Sequence, residues 1–145
     1  MMTLSDEKRQ FINSFLEEPL IARMATADAS GQPHAVPVWY GWDGESIWIS
    51  SYSNTRKIAD LEQNPKISVV IDVAGDAGGT KAVIFEGTVS LVREPRDLLR
   101  KQFVWIYTRY MGEEGVKAED PQRWIEDPHN LLIKLTPATV TTWHW

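Results

Sequence analysis

Short apolar runs recur along the chain and predict a protein built mainly of β-strands, because most of them alternate with polar residues. Lys66–Val73 is rich in β-branched residues and is the best candidate for a core strand. Lys81–Arg93 alternates over a longer distance, and Gly87 in its middle predicts a bend or a bulge. The predicted strands are, in chain order, Leu20–Thr26, His34–Trp42, Ser46–Ser50, Lys66–Val73, Lys81–Arg93, Leu131–Leu135 and Thr139–Trp145.

Four segments follow the helical period instead. The first, Ser5–Glu17, is amphipathic and is stopped by Pro19. A short second helix ends before Pro65, and it carries Ile58 and Leu61 on one face. Glycines end the third helix, and a short helical piece follows it. These last two helices are predicted at Pro95–Tyr110 and Pro121–Glu126.

The order of these elements predicts a small antiparallel β-barrel with peripheral helices, a mainly β (α+β) fold. Asp43-Gly44 is a hairpin signal, and the Gly-rich segment Ala74–Thr80 reads as a loop. A doubly wound parallel sheet is excluded, since several connections are too short to hold a crossover helix. The chain has 145 residues and no internal repeat, so we expect one domain spanning residues 1–145.

Two prolines stand directly before and within the second predicted strand. Pro33 and Pro37 cannot donate a backbone hydrogen bond, so they favour an edge or bulged strand over a central one. Backbone groups near Pro37 would then be free to contact something other than a neighbouring strand.

The composition narrows the classes of function. A net charge of −5 without a basic stripe argues against a nucleic-acid partner. The chain has no cysteine, which excludes disulfides and thiolate catalysis, and no apolar run long enough to span a membrane. A cytoplasmic protein is therefore expected. Seven tryptophans fit either a core of large residues or surfaces that meet a partner or a flat ligand.

The stretch Ser50–Pro65 carries the strongest chemical signal. It passes from a strand into a short helix, and Arg56 and Lys57 stand in the first turn, where an acidic residue would be the stabilising choice. Unpaired backbone N–H groups at a helix start also favour an anion. The pattern therefore indicates a phosphate site, and the alternative is a basic turn exposed to solvent.

Five segments of the chain together resemble the pyridoxamine 5′-phosphate oxidase-like family. Their most specific part is Thr55–Lys57 followed by Asn64–Ser68. The resemblance implies a split β-barrel homodimer with a flavin bound at the subunit interface. The segments that carry it are Ile21–Thr26, Gly31–Tyr40, Asn54–Val70, Phe85–Val89 and Pro137–Trp143.

The same resemblance implies which residues bind the cofactor. Thr55, Arg56 and Lys57 would grip the flavin phosphate, joined by the hydroxyl of Ser50 or Ser51. Main-chain groups of the second strand would meet the edge of the isoalloxazine ring. Those positions are Pro37, Val38 and Trp39.

One departure separates the chain from the oxidase itself, which carries an arginine and a lysine on the second strand. The corresponding stretch, Ala35–Gly41, has no charged residue. We therefore expect a relative that does not act on vitamin B6. The motif also fits the branch of the family that uses a deazaflavin in place of FMN.

Two further residues are candidates for the cofactor site. Arg109 ends the third helix. If that helix end overhangs the partner subunit's ring, Arg109 would face the substrate or a carboxylate on a long cofactor tail, and otherwise it only stabilises the helix end. Trp143 would stack near the partner subunit's flavin or pack in the interface. No catalytic acid or base is expected, because a flavin ring carries the redox chemistry itself. The three histidines lack metal-ligand spacing, and no metal is expected.

Three functions compete at this point. The first is an FMN-dependent oxidoreductase that transfers hydride between the flavin and a small organic substrate. The second is a deazaflavin-dependent reductase on the same fold. The third is a carrier or sensor that binds a flavin or a tetrapyrrole without catalysis.

Overall fold

The computed structural model of the chain describes residues 3–75 and 79–145. Within them lie eight strands and four helices. The helices are α1 (Asp6–Phe15), α2 (Arg56–Gln63), α3 (Arg96–Gly115) and α4 (Glu119–Glu126). The strands are β1 (Ala22–Ala27), β2 (Pro33–Val38), β3 (Gly41–Trp42), β4 (Ile47–Tyr52), β5 (Lys66–Val73), β6 (Lys81–Val92), β7 (Asn130–Leu135) and β8 (Thr139–His144). Gly78 of the predicted loop Ala74–Thr80 lies outside the described residues.

The strands form one antiparallel sheet in the order β2-β1-β5-β6-β7-β4-β3, with β8 paired to β6. The predicted mainly β split barrel with peripheral helices is confirmed. Strand β6 connects the two halves of the sheet, one containing β5 and the other β7. Its residues 81–88 pair with β5, and its residues 89–92 pair with β7. Strand β2 stands at one end of the order, which agrees with the edge position predicted from Pro33 and Pro37.

Gly87 lies at the point where β6 changes partners. A Cβ there would come within 3.0 Å of the Ala138 backbone nitrogen and 3.1 Å of the Leu135 side chain. Any other residue would need the chain after β7 or the Leu135 side chain to give way by a few tenths of an ångström. The glycine therefore suits a close approach of two backbones.

Two apolar clusters hold the elements together. The larger one fills the barrel and includes fully buried Ile12 of α1, Val69 of β5 and Ile133 of β7. The smaller one lies between α3, α4 and the opposite side of β4 and β7, around Phe103 and Leu132. Helices α3 and α4 are thereby fixed against the strand that leads into α2.

The second predicted strand, His34–Trp42, is broken in the structure. Strand β2 ends at Val38, and the two-residue β3 begins at Gly41. Between them Tyr40 is fully buried, and its backbone N–H donates to the Tyr110 hydroxyl at 3.1 Å. That hydrogen bond to α3 takes the place of a strand partner, so the ladder stops here.

Helix α3 continues beyond the predicted end at Tyr110 and reaches Gly115. Gly112 adopts a φ of 80°, a conformation that glycine tolerates, and helical geometry resumes after it. In the described part of the chain, no helix is both long and apolar enough to cross a membrane.

Candidate functional site

A cleft of about 400 Å³ opens where the end of β2, the end of β4 and the start of α2 meet. It brings together five of the ten residues that the sequence assigned to a cofactor. The residues that line it are Ile21, Pro37, Val38, Trp39, Ser50 and Lys57. Four parts of the chain thus form one site: the residue before β1, the end of β2, β4 and the start of α2.

Trp39 is held in the cleft wall by α3. Its ring stacks on Tyr110 with centroids 4.7 Å apart and planes 3° apart, and it meets Tyr107 edge-on at 6.2 Å. Tyr110 is itself fixed, since its hydroxyl donates to the Leu20 carbonyl at 2.7 Å while accepting from Tyr40. The sequence did not identify Tyr107 or Tyr110 as supports of the site, although both stand one helical turn apart on α3.

Lys57 is the cation of the cleft, and it is half-buried. Burial lowers the pKa of its ammonium, because the charged form loses water. No carboxylate among the described residues forms a salt bridge with it. An anion in the cleft would supply the missing opposite charge.

Helix α2 begins at the same cleft without a side-chain cap. Thr55 occupies the N-cap position, but its hydroxyl donates to the Tyr52 carbonyl at 2.9 Å instead of accepting from the helix. The first turn also contains no acidic residue. Its N–H groups and the positive end of the helix dipole are therefore available to an anion.

Arg56 does not line the cleft but lies next to it at the start of α2. Its guanidinium is half-exposed and lies 3.9 Å from the Asp60 carboxylate, one turn further along the helix. Asp60 is buried and also accepts from the Thr26 hydroxyl at 2.8 Å. The contact is long and its Arg56 side is exposed, and Asp60 keeps the hydrogen bond from Thr26 without it, so Arg56 can change partners.

The two serines at the end of β4 differ in role. Ser51 is buried, and its hydroxyl lies 3.0 Å from the Thr55 hydroxyl and 3.1 Å from the Tyr52 carbonyl. It shapes the turn into α2 and does not line the cleft. Ser50 points to the other side of the strand, where it lines the cleft and meets Tyr107.

Arg109 does not line the cleft of its own chain. Its guanidinium donates to the carbonyls of Leu16 and Glu18 at 3.2 Å and of Tyr40 at 3.0 Å. It also lies over the Tyr40 ring, 5.0 Å from the centroid. Arg109 therefore ties α3 to the carboxyl end of α1 and to the segment before β3, and we leave it out of the proposed site.

Trp143 is likewise absent from the cleft lining of this chain. It lies on β8 opposite Ala82 of β6, and its side chain is 38% exposed.

Among the described residues, no group of three or more histidines and carboxylates is placed to hold a metal ion.

Comparison with known proteins agrees with this architecture. A family model described as pyridoxamine 5′-phosphate oxidase matches residues 9–144. A curated relative is the 5a,11a-dehydrotetracycline/5a,11a-dehydrooxytetracycline reductase of Streptomyces rimosus. It is 26% identical over 116 residues, which cover 73% of this chain and 82% of the reductase.

Solved structures share the fold at lower identity. The conserved hypothetical protein Rv2991 of Mycobacterium tuberculosis superposes with a TM-score of 0.78 at 23% identity, covering 99% of this chain and 86% of that one. A protein described as an F420 reductase superposes with a TM-score of 0.68 at 23% identity, covering 89% of this chain and 94% of the reductase. The heme storage protein HutZ of Vibrio cholerae superposes with a TM-score of 0.72 at 20% identity, covering 93% of this chain and 92% of HutZ.

The topology defines a split-barrel protein with an open cleft beside the start of α2. The chain belongs to the pyridoxamine 5′-phosphate oxidase family, whose model spans nearly all of it. Proteins of this family bind FMN or the deazaflavin F420.

Proposed function

We propose that the protein is an FMN-dependent oxidoreductase that exchanges hydride between the flavin and a small organic substrate. The observation that supports this best is the position of Lys57. It is a half-buried cation without a salt-bridge partner among the described residues, in a cleft that also contains the end of an edge strand. When bound, the flavin ring supplies the hydride chemistry, and the protein supplies binding and orientation.

In this proposal the cofactor phosphate binds at the start of α2. Lys57 neutralises its charge, and the uncapped N–H groups of the first turn donate to its oxygens. Arg56 lies near enough to add a second cation if its long contact with Asp60 opens. Thr55 and Ser51 hold the turn in shape through their shared hydrogen bonds.

The ring would lie along Pro37, Val38 and Trp39. Strand β2 pairs with β1 along one side, and its other side has no strand partner among the described residues. Main-chain groups on that side are therefore available to hydrogen-bond the polar edge of an isoalloxazine ring. Trp39, stacked on Tyr110, gives the ring a rigid apolar neighbour.

Two alternatives differ in their cofactor. A deazaflavin-dependent reductase shares the fold of the F420 reductase. The likeness to the dehydrotetracycline reductase supports a reductase with either cofactor. A tetrapyrrole carrier shares the fold of the heme storage protein. Haem iron is usually held by His, Cys, Met or Tyr, and the six residues that line this cleft include none of these. The haem reading is therefore weaker.

We expect mass spectrometry of the small molecule released from native, freshly purified protein to identify FMN. Recovery of a deazaflavin would instead support the deazaflavin-dependent reductase. Recovery of haem would contradict both the FMN-dependent and the deazaflavin-dependent enzyme. Reduction of the bound flavin by NADPH, followed by reoxidation with an added acceptor, would support an enzyme. A flavin that resists reduction by nicotinamide nucleotides would favour a carrier.

We also propose that the protein is a homodimer, as is typical of its family. Ile21, Val104 and Trp143 are large apolar side chains that this chain leaves exposed. Ile21 also borders the cleft, so a second copy that covered it would close the cofactor site as well. Sedimentation at micromolar concentration should show a dimer. A folded monomer that binds FMN at the same concentration would contradict this.

A further inference from the structure

A chain of hydrogen bonds runs from the interior of the protein to the proposed cofactor cleft. The side-chain nitrogen Nδ2 of Asn130 donates to the Tyr107 hydroxyl oxygen at 2.9 Å. The Tyr107 hydroxyl in turn donates to the Ser50 hydroxyl oxygen at 3.1 Å. Asn130 and Tyr107 are buried, whereas Ser50 lines the cleft.

The direction of this chain is set by Asn130. Its Nδ2 also donates to the Trp124 carbonyl at 3.0 Å, and a carbonyl oxygen can only accept. The amide must therefore turn its NH₂ group toward the Tyr107 hydroxyl and the Trp124 carbonyl. The flipped amide would place its own oxygen against the Trp124 carbonyl oxygen, and neither atom carries a proton to donate. The Tyr107 oxygen accepts from Asn130, and its own proton is left for Ser50. Burial raises the pKa of Tyr107, so the hydroxyl keeps that proton at neutral pH.

Ser50 consequently has one direction left for its own proton. Its oxygen is occupied as an acceptor by Tyr107, and no acceptor among the described residues takes its hydrogen. The open side of the residue is the cleft that also contains Lys57. The neighbouring Ser51 cannot take this role, because its hydroxyl is engaged with Thr55 and the Tyr52 carbonyl.

We propose that Asn130 and Tyr107 are positioning residues that hold Ser50 as a hydrogen-bond donor into the cleft, where it selects a phosphate oxygen of the cofactor. This inference rests on the proposed function, because it requires the phosphorylated cofactor to bind beside Lys57. A donor oriented in advance loses less freedom on binding than a freely rotating hydroxyl, so the effect of Tyr107 reaches the ligand only through Ser50.

The test uses Ser50→Ala, Tyr107→Phe and the double variant of the full chain, with FMN and riboflavin as probes. Ser50→Ala removes a hydrogen bond to a charged group and should weaken FMN binding by about tenfold or more. Tyr107→Phe keeps the buried ring and should weaken FMN binding by roughly three- to fivefold. The double variant should bind FMN no more weakly than Ser50→Ala, and riboflavin binding should change little in any of them.

Tyr52→Phe is the matched control, because its hydroxyl has no hydrogen-bond partner among the described residues, and FMN binding should be unchanged. Losses for Ser50→Ala and Tyr107→Phe that multiply in the double variant would overturn the proposal, since Tyr107 would then act independently of Ser50. An equal loss for riboflavin would overturn the assignment to phosphate.

A second measurement needs no cofactor and separates this inference from the proposed function. In ligand-free protein, proton NMR should show a slowly exchanging Tyr107 hydroxyl with a nuclear Overhauser effect to the Ser50 β-protons. The exchange of that hydroxyl should accelerate in Ser50→Ala. If the parent protein binds neither FMN nor a deazaflavin, the proposed function is wrong. The NMR result would still show whether the hydrogen-bond chain from Asn130 to Ser50 exists. Equal exchange in the parent and in Ser50→Ala would overturn that chain.

Discussion

Replacing Lys57 with alanine should weaken FMN binding by about 10- to 150-fold, the largest loss of affinity that we expect from one residue. The reason is that a charge-assisted hydrogen bond to phosphate contributes roughly 1.5–3 kcal/mol, and Lys57 has no salt-bridge partner of its own among the described residues. Fluorescence quenching of the flavin on titration with protein measures the dissociation constant directly.

Riboflavin separates phosphate binding from damage to the fold. It lacks the phosphate, so it should bind weakly and respond little to Lys57→Ala. Raised salt should weaken FMN more than riboflavin, because it screens the ionic contact. Lys101→Ala, at an exposed position of α3, is the matched control and should leave both affinities unchanged. An equal loss for the two probes, or none for FMN, would refute the phosphate assignment.

The same residue should give FMN binding a pH dependence. Burial lowers the pKa of Lys57 in the ligand-free protein below its ordinary value of 10.5, whereas a bound anion would raise it. Binding therefore takes up a proton, and FMN affinity should fall as the pH rises through the ligand-free pKa of Lys57. Above about pH 7 the phosphate itself stays fully charged. Lys57→Ala should abolish this slope, and a slope that persists would assign it to another group.

Replacing Arg109 with alanine should lower the free energy of unfolding by about 2–4 kcal/mol, the largest loss of stability expected from a partly exposed residue. The guanidinium, on α3, donates to carbonyls of two other segments, at Leu16 at the end of α1 and at Tyr40 before β3. Its stacking on the Tyr40 ring is lost as well. Urea unfolding followed by tryptophan fluorescence measures the change.

Arg23→Ala is the matched control for the loss of an arginine. Arg23 pairs with Asp72 at 2.8 Å, but both side chains are about half-exposed, so we expect a loss below about 1 kcal/mol. Folded Arg109→Ala should bind FMN as the parent does, because Arg109 does not line the cleft. If Arg109→Ala kept its stability but no longer bound FMN, Arg109 would belong to the cofactor site after all.

The sequence alone determined much of the secondary structure and the edge position of one strand. Alternating apolar positions predicted the strands because a half-buried strand must bury every second side chain. Pro33 and Pro37 predicted the edge position of β2, since neither can donate to a second neighbour. Arg56 and Lys57 predicted an anion site at the start of α2 through local rules of helix ends, which need no knowledge of the rest of the fold.

Only the tertiary structure decided which of the candidate residues meet. The sequence offered Arg109 for the cofactor site, and the structure shows that its guanidinium donates to the Tyr40 carbonyl, 69 positions away in the chain. Tyr107 and Ser50 are 57 positions apart, and nothing in their own neighbourhoods marks them as a pair. Hydrogen bonds of this kind depend on how α3 packs against β4, and that packing results from many apolar contacts at once. Local patterns determine where a strand or helix begins, whereas the distance between two side chains on different elements is set by the whole core.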